Sequence, residues 1–347
     1  MEELYKINST SEKILNKENI IFEHEDQIKG IESIFCFKNG DILIFKNTFS
    51  VLYDGKTLKE KLQLKFLGAL CAFCYLSEDE FILLKDSYLS LYRFSNNRTK
   101  AEEICLIHED YISKNKNIFV LSNNDLLNIT QVCLEPKEFR IFRRIEENNR
   151  LVKYELITDI LEDIKDIDYV VNLEEDEFLT MKRDLSSEEV LLKVYSNENY
   201  LIKRFNRIKC ILNGKRMIYY SMLPVYKMKK KIIIPSVCLL NIIDIYTLEL
   251  ETSIKISEEI KDIKILDNDF IIIFECFRNF ENYQRNFLFY LTKVLIDFDV
   301  NDMVKIERNK INDEAGEFMS LFKIFNYRGN GLATITDQNY LKIYNKV

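Results

Sequence analysis

The chain of 347 residues carries no tryptophan, and only 3 prolines, 8 glycines and 2 histidines. Each shortage excludes something. A phosphate-cradling loop needs closely spaced glycines. The nearest pair, Gly329 and Gly331, reads as a hairpin turn, and no P-loop, dinucleotide fingerprint or EF-hand loop is present. A hydrolase triad needs a base beside a nucleophile. His24 and His108 stand in FEHED and LIHED, where surface loops after an outer strand are expected, so neither is given a catalytic role. The start, Met1-Glu2-Glu3, has no basic n-region or apolar h-region. The longest apolar stretch, 232–245, is broken by Pro235, Asn241 and Asp244, and is too short and polar to span a bilayer. The expected location is cytoplasmic, with the nucleus as alternative. Excess basic charge is also missing: the net charge is −7, which argues against general nucleic-acid binding.

What remains is globular in composition, with 47% hydrophobic and 30% charged residues. Most of the 8 cysteines lie in apolar runs, as free buried thiols do in a reducing compartment. Cys71 and Cys74 form one C-x-x-C inside ALCAFCYL. Residues three apart on a strand point to opposite faces, so neither a shared metal nor a disulfide is expected there.

A polar turn followed by an apolar strand recurs seven times. It begins at Asn39, Glu78, Asn123, Glu175, Asn213, Asp267 and Gly329, and the first apolar residues after these turns are Ile42, Phe81, Leu126, Phe178, Met217, Phe270 and Leu332. The mean spacing is about 48 residues, near the length of a four-stranded propeller blade. Each turn is followed by an apolar alternation ending in an aromatic ring: Tyr53, Tyr92, Phe142, Tyr195, Tyr246, Phe298 and Tyr344. Asn, Asp and Gly tolerate the positive φ of tight hairpins, and the flanking runs are rich in strand formers. Charged segments after the rings, such as 58–64 and 200–205, read as outer strands with one edge toward water.

The expected fold is therefore all-β, a seven-bladed β-propeller forming a single domain over 1–347. Approximate blades are 28–64, 69–107, 112–157, 163–205, 208–256, 261–309 and 318–347, the last completed by 18–23. Using an N-terminal strand this way removes two exposed edges. Residues 1–16 are then an extension or a further edge strand, and 157–168 is a short helix or an acidic loop.

The pattern resembles that of WD-repeat propellers. Tyr53-Asp54 stands where such a repeat has its Trp-Asp pair, and the other rings occupy the same place. No Trp-Asp or Gly-His pair is present, so the hydrogen-bonded network of those repeats does not carry over. The fold implies a platform for proteins or peptides, without intrinsic catalysis, cofactor or metal. Acidic loops nominate Glu109, Asp110, Asp163 and Asp166 as a protein-binding face for a partner with a basic patch. Lys227, Lys229, Lys230 and Lys231 are the candidate anion-binding cluster. FRRI at 142–145 resembles the FRRG signature of phosphoinositide-binding propellers, with Ile145 in place of glycine. The alternatives are thus a phosphoinositide- or membrane-surface-binding propeller, or an enzyme with a carboxylate site at the mouth of a central channel.

Overall fold

The computed structural model describes the backbone of residues 12–14, 20–24, 31–46, 49–54, 57, 59–65, 70–85, 88–109, 115–131, 138–147, 151–157, 167–173, 176–184, 189–210, 225–236, 238–256, 259–266, 270–281, 284–297, 303–310, 321–327, 331–336 and 341–344. Side chains are described only between 34 and 265, and not for all of those.

Every regular element among them is a β-strand. Two short strands, β1 (Glu12–Ile14) and β2 (Ile20–His24), come first. The first sheet is β3 (Ile31–Cys36), β4 (Ile42–Lys46), β5 (Phe49–Tyr53) and β6 (Glu60–Lys65), hydrogen-bonded in that order. The second is β7 (Leu70–Tyr75), β8 (Glu80–Lys85), β9 (Tyr88–Phe94) and β10 (Ala101–Glu109). The third is β11 (Asn115–Val120), β12 (Leu126–Gln131), β13 (Glu138–Glu147) and β14 (Leu151–Ile157). The fourth is β15 (Tyr169–Asn172), β16 (Glu177–Asp184), β17 (Glu189–Ser196) and β18 (Ile202–Lys209). The fifth is β19 (Tyr226–Met228), β20 (Lys231–Pro235), β21 (Leu239–Asp244) and β22 (Leu250–Lys255). The sixth is β23 (Glu259–Leu266), β24 (Phe270–Glu281), β25 (Gln284–Asp297) and β26 (Met303–Lys310), with β1 added in parallel beside β26. The seventh is β27 (Leu321–Tyr327), β28 (Gly331–Thr336) and β29 (Leu341–Tyr344). Its fourth strand is β2, which runs antiparallel to β29 and sets His24 opposite Leu341.

The chain divides into two units. One spans Gly30–Arg183 and Val190–Arg207, and so holds the first four sheets apart from the ends of β16, β17 and β18. Within it, neighbouring sheets pack through their side-chain faces. Phe37, Leu43, Phe45 and Leu52 of the first sheet meet Phe81, Leu83 and Phe94 of the second. Ile82, Leu84 and Leu91 meet Ile118, Leu126 and Phe142 of the third. Leu121, Leu127 and Ile141 meet Ile167, Phe178, Tyr195 and Tyr200 of the fourth. Central strands of the second and third sheets are thus covered on both sides, and β9 of the second runs exposed, buried, buried, buried, half-buried, half-buried, buried. That explains why the sequence reads as apolar runs more than strict alternation. In the other unit, Ile233, Leu240 and Ile242 of the fifth sheet pack on Ile260 and Ile263 of the sixth.

The register explains the turn-to-ring rhythm. Ile42 lies opposite Tyr53, Phe81 opposite Tyr92, Leu126 opposite Phe142, and Leu332 opposite Tyr344. Phe178 stacks on Tyr195 at 5.1 Å between centroids. First apolar residue and ring are therefore cross-strand partners, the unit of sheet stabilisation. Gly40, Asn124 and Asp176 take the positive φ of the hairpins at 88°, 64° and 57°.

Several expectations are corrected. His108 lies within β10 and His24 ends β2, so both belong to strands and not loops. The first hairpin of the fifth sheet turns at Lys229-Lys230, with φ 51° at Lys229, and Asn213–Met217 fall outside the described residues. Here Ile232 pairs with Ile243, which takes the ring position. Tyr246 lies two residues beyond β21 and is 56% exposed. In the sixth sheet Phe270 faces Leu295, and Phe298 is outside the described residues. FRRI belongs to β13, the third strand of its sheet.

Candidate functional site

One charged position recurs at the start of the second strand of each of the first five sheets. It holds Asp41, Glu80, Asp125 and Glu177, and in the other unit Lys231. In the four acidic cases the residue's carbonyl accepts the hairpin bond, from the N–H of Phe37, Leu76, Leu121 and Leu173 respectively. The backbone thus fixes the carboxylates at equivalent places.

Each finds cations or donors. Asp41 accepts from Lys61 at 2.9 and 3.1 Å, from Asn39 at 2.9 Å and from Arg98 at 3.2 Å. Arg98 comes from the second sheet and also donates to Glu78 Oε2 at 2.6 Å, with its guanidinium 4.5 Å from the Phe37 ring centroid. Glu80 takes Arg93 Nη2 at 2.5 Å and, from the third sheet, Arg144 Nη1 at 2.8 Å. Asp125 takes the Arg144 backbone N–H at 2.7 Å and the Tyr200 hydroxyl from the fourth sheet. Glu177 holds Lys203 at 3.1 Å and Arg204 at 2.9 Å. At Lys231 the signs are exchanged, with Asp244 at 3.1 Å and Glu251 as its partners.

Arg98 and Tyr200 are the same device. Both sit in the hairpin before the outer strand, with φ 54° and 59°, and both reach back to the aspartate of the preceding sheet. Leu248, with φ 58°, occupies that hairpin position in the fifth sheet.

The electrostatics fit a structural role. Burial opposes ionisation of Glu80, but the hydrogen bonds from Arg144 and Arg93 outweigh it and hold the carboxyl below its usual range. Glu177 behaves alike under Arg204 and Lys203. Asp244 is also lowered, by the N–H groups of Thr247 and Tyr246 and by Lys231 acting against burial. A general acid needs the opposite shift. Burial, then the bond to Asp125, pushes the Tyr200 hydroxyl up to about 12. Among the described residues no three of His, Cys, Asp and Glu gather as metal ligands.

Glu109 ends β10, and its side chain, with Asp110, Asp163 and Asp166, falls outside the described residues. Of the lysines, Lys229 and Lys230 are exposed at the hairpin tip, Lys227 is half-buried, and Lys231 is bound to Asp244 and Glu251. Lys230 lies 6.0 Å from the ring of Tyr246. The FRRI arginines contact groups of the protein itself: half-buried Arg144 bonds Glu80, and exposed Arg143 bonds the Glu198 carbonyl and lies over the Tyr200 ring. Arg140 meets His108 Nε2 at 2.6 Å. In the C-x-x-C, Cys74 donates to the Ile118 carbonyl at 3.2 Å, and burial pushes its thiol up to about 12.

Sequence reasoning passed over one surface. Outer strands carry large apolar side chains facing water: Leu106 on β10 is 52% exposed, Leu156 on β14 42%, and Phe205 on β18 69%. Leu201, just before β18, is 62% exposed. The signal was present as the alternation Leu201, Lys203, Phe205, Arg207, which sets apolar and basic residues on one face of a strand. In sequence alone the same run reads as a charged outer strand.

Repeated four-stranded sheets, packed face to face within each unit, define a β-propeller fold similar to WD40 domains. The WD40 domain of Pan2 from Neurospora crassa superposes with a TM-score of 0.56 at 8% identity, covering 93% of this chain and 92% of that one. The WD40 domain of SCAP from fission yeast gives 0.55 at 12% identity, covering 91% and 80%. BBS1N, solved in complex with ARL6DN, gives 0.53 at 10% identity, covering 94% and 96%. No protein-family model matches the sequence, and neither does any curated protein.

Proposed function

We propose that this chain is a protein-interaction scaffold without catalysis of its own, and that its outer strands form part of the contact surface. The observation that carries the reading is the exposure of Leu106, Leu156, Leu201 and Phe205 on those strands. Scattered apolar residues on a surface are ordinary, but outer strands are where proteins normally place charge to discourage contact. Covering what remains exposed of one such side chain is worth about 1 kcal/mol. Arg98–Asp41 and Arg144–Glu80 tie neighbouring sheets together, which suits a rigid platform. The likeness to WD40 domains supports the reading at the level of fold, and BBS1N is itself solved with a protein partner.

The test is sedimentation of the full chain from its native cell extract, beside a variant carrying Leu106→Ser, Leu156→Ser and Phe205→Ser. The wild type should sediment as part of a larger assembly, and the variant, folded by circular dichroism, should run as a free chain. Robust turnover by the pure protein, or a free wild-type chain in the extract, overturns the proposal.

A further inference from the structure

Resting on the scaffold reading, we infer that the exposed face of the β18 segment is the docking site for an extended acidic segment of a partner protein. The segment would carry bulky apolar side chains and carboxylates at alternate outward-facing positions. On β18 and the residue before it, Leu201 and Phe205 are 62% and 69% exposed. Lys203 stands between them with 45% of its side chain exposed even while it holds Glu177, and Arg207 follows, also exposed. These four share one face of the strand, with like residues about 13 Å apart. An extended partner repeats that spacing residue for residue, whereas a helix rises only about 1.5 Å per residue and does not.

Charge decides the chemistry. Residues 202–207 include Lys203, Arg204 and Arg207 and no acid, and the Glu177 carboxylate that Lys203 and Arg204 share offsets only one of these charges. Lysines alone would be the ordinary protection of an outer strand. Protection does not account for Leu201 and Phe205, which the fold itself leaves in water. The surface is also held in place beforehand. Tyr200 is buried against the third sheet with its hydroxyl on Asp125, and the Leu201 carbonyl accepts from Ser196 N–H at 3.0 Å. Little freedom is lost when such a turn binds, which favours affinity.

The probe is a synthetic ten-residue peptide with leucine or phenylalanine alternating with glutamate at every second position and serine between. Its binding to the full chain is read by fluorescence anisotropy. Saturable binding is expected, weakening with salt and by at least about tenfold for Phe205→Ser and for the pair Lys203→Glu, Arg207→Glu. Thermal melts establish that these variants fold. The same peptide with lysine for glutamate should not bind. Equal binding of acidic and basic peptides, or unchanged affinity of Phe205→Ser, overturns the assignment. So does self-association of the chain through this face, or equal competition by phosphatidylserine vesicles. If the peptide fails while the outer-strand variant still leaves its assembly, the docking assignment falls and the scaffold reading stands.

Discussion

Removing Arg98 should cost the protein about 3 kcal/mol, and the way that cost depends on the replacement tests the reasoning. Its side chain is 7% exposed and pairs with Asp41, whose side chain is 3% exposed. Breaking a buried ion pair costs roughly 3–5 kcal/mol, because the remaining charge stays out of water. Asp41 keeps Lys61 and Asn39, so the lower end applies to Arg98→Ala. The backbone adds a second effect. At φ 54° a residue with a Cβ pays about 1 kcal/mol that glycine does not. Arg98→Gly should therefore be less damaging than Arg98→Ala by about 1 kcal/mol, the reverse of the usual order in a strand or helix. Urea unfolding followed by circular dichroism gives both values from the shift in midpoint. In a double-mutant cycle with Asp41→Asn, the coupling should be about 2 kcal/mol. Equal midpoints for the alanine and glycine variants, or shifts worth under about 0.5 kcal/mol for both, would refute the argument.

Tyr195→Ala should destabilise by about 3 kcal/mol in the same assay, since the ring is 2% exposed and stacks on Phe178. A midpoint unchanged from wild type would show that the cross-strand rings do not hold the sheets. The pH dependence follows from Glu80, whose carboxyl lies below its usual value in the fold. A lowered folded pKa contributes stability that is full above the unfolded value and is lost as pH falls through the folded one. Glu80→Gln should therefore lower stability at pH 7 and flatten its decline as pH falls below the ordinary carboxylate range; a parallel decline contradicts this. Deleting residues 1–25 removes β2 and leaves β29 with an uncovered edge, so the product should be insoluble or melt without cooperativity. A cooperative melt near the full-length temperature would contradict that.

The fold was legible because its repeat is written in two short signals. Polar turns at Asn39 and Asn123, and rings such as Tyr53 and Phe142, fall at fixed register because hairpin pairing sets them opposite each other. The fifth sheet escaped this logic. Its hairpin turns on Lys229-Lys230 and not on Asn-Gly, and its ring position holds Ile243, so the aromatic Tyr246 drew the assignment three residues too far. The histidines were misplaced because a charged outer strand, with one face in water, looks like a loop in sequence. The charged ties were illegible for a different reason. Asp41 and Arg98, or Asp125 and Tyr200, lie 57 and 75 residues apart, and only the packing of one sheet on the next brings them together. The exposed alternation on β18 was readable, because 200–205 already reads as an outer strand, but Leu201 and Phe205 default to burial since an outer strand still has one face packed on its neighbour.

The claim that this surface makes contact is tested most directly by placing a photoreactive amino acid at Phe205 in the full chain, inside its native cell. A matched chain with the same group at Lys255, an exposed residue of another outer strand, serves as control. The account predicts a discrete cross-linked protein adduct from position 205 that is absent or much weaker from 255, and that disappears when Lys203 and Arg207 are both changed to glutamate. No adduct from 205, or the same adducts from both positions, would contradict it.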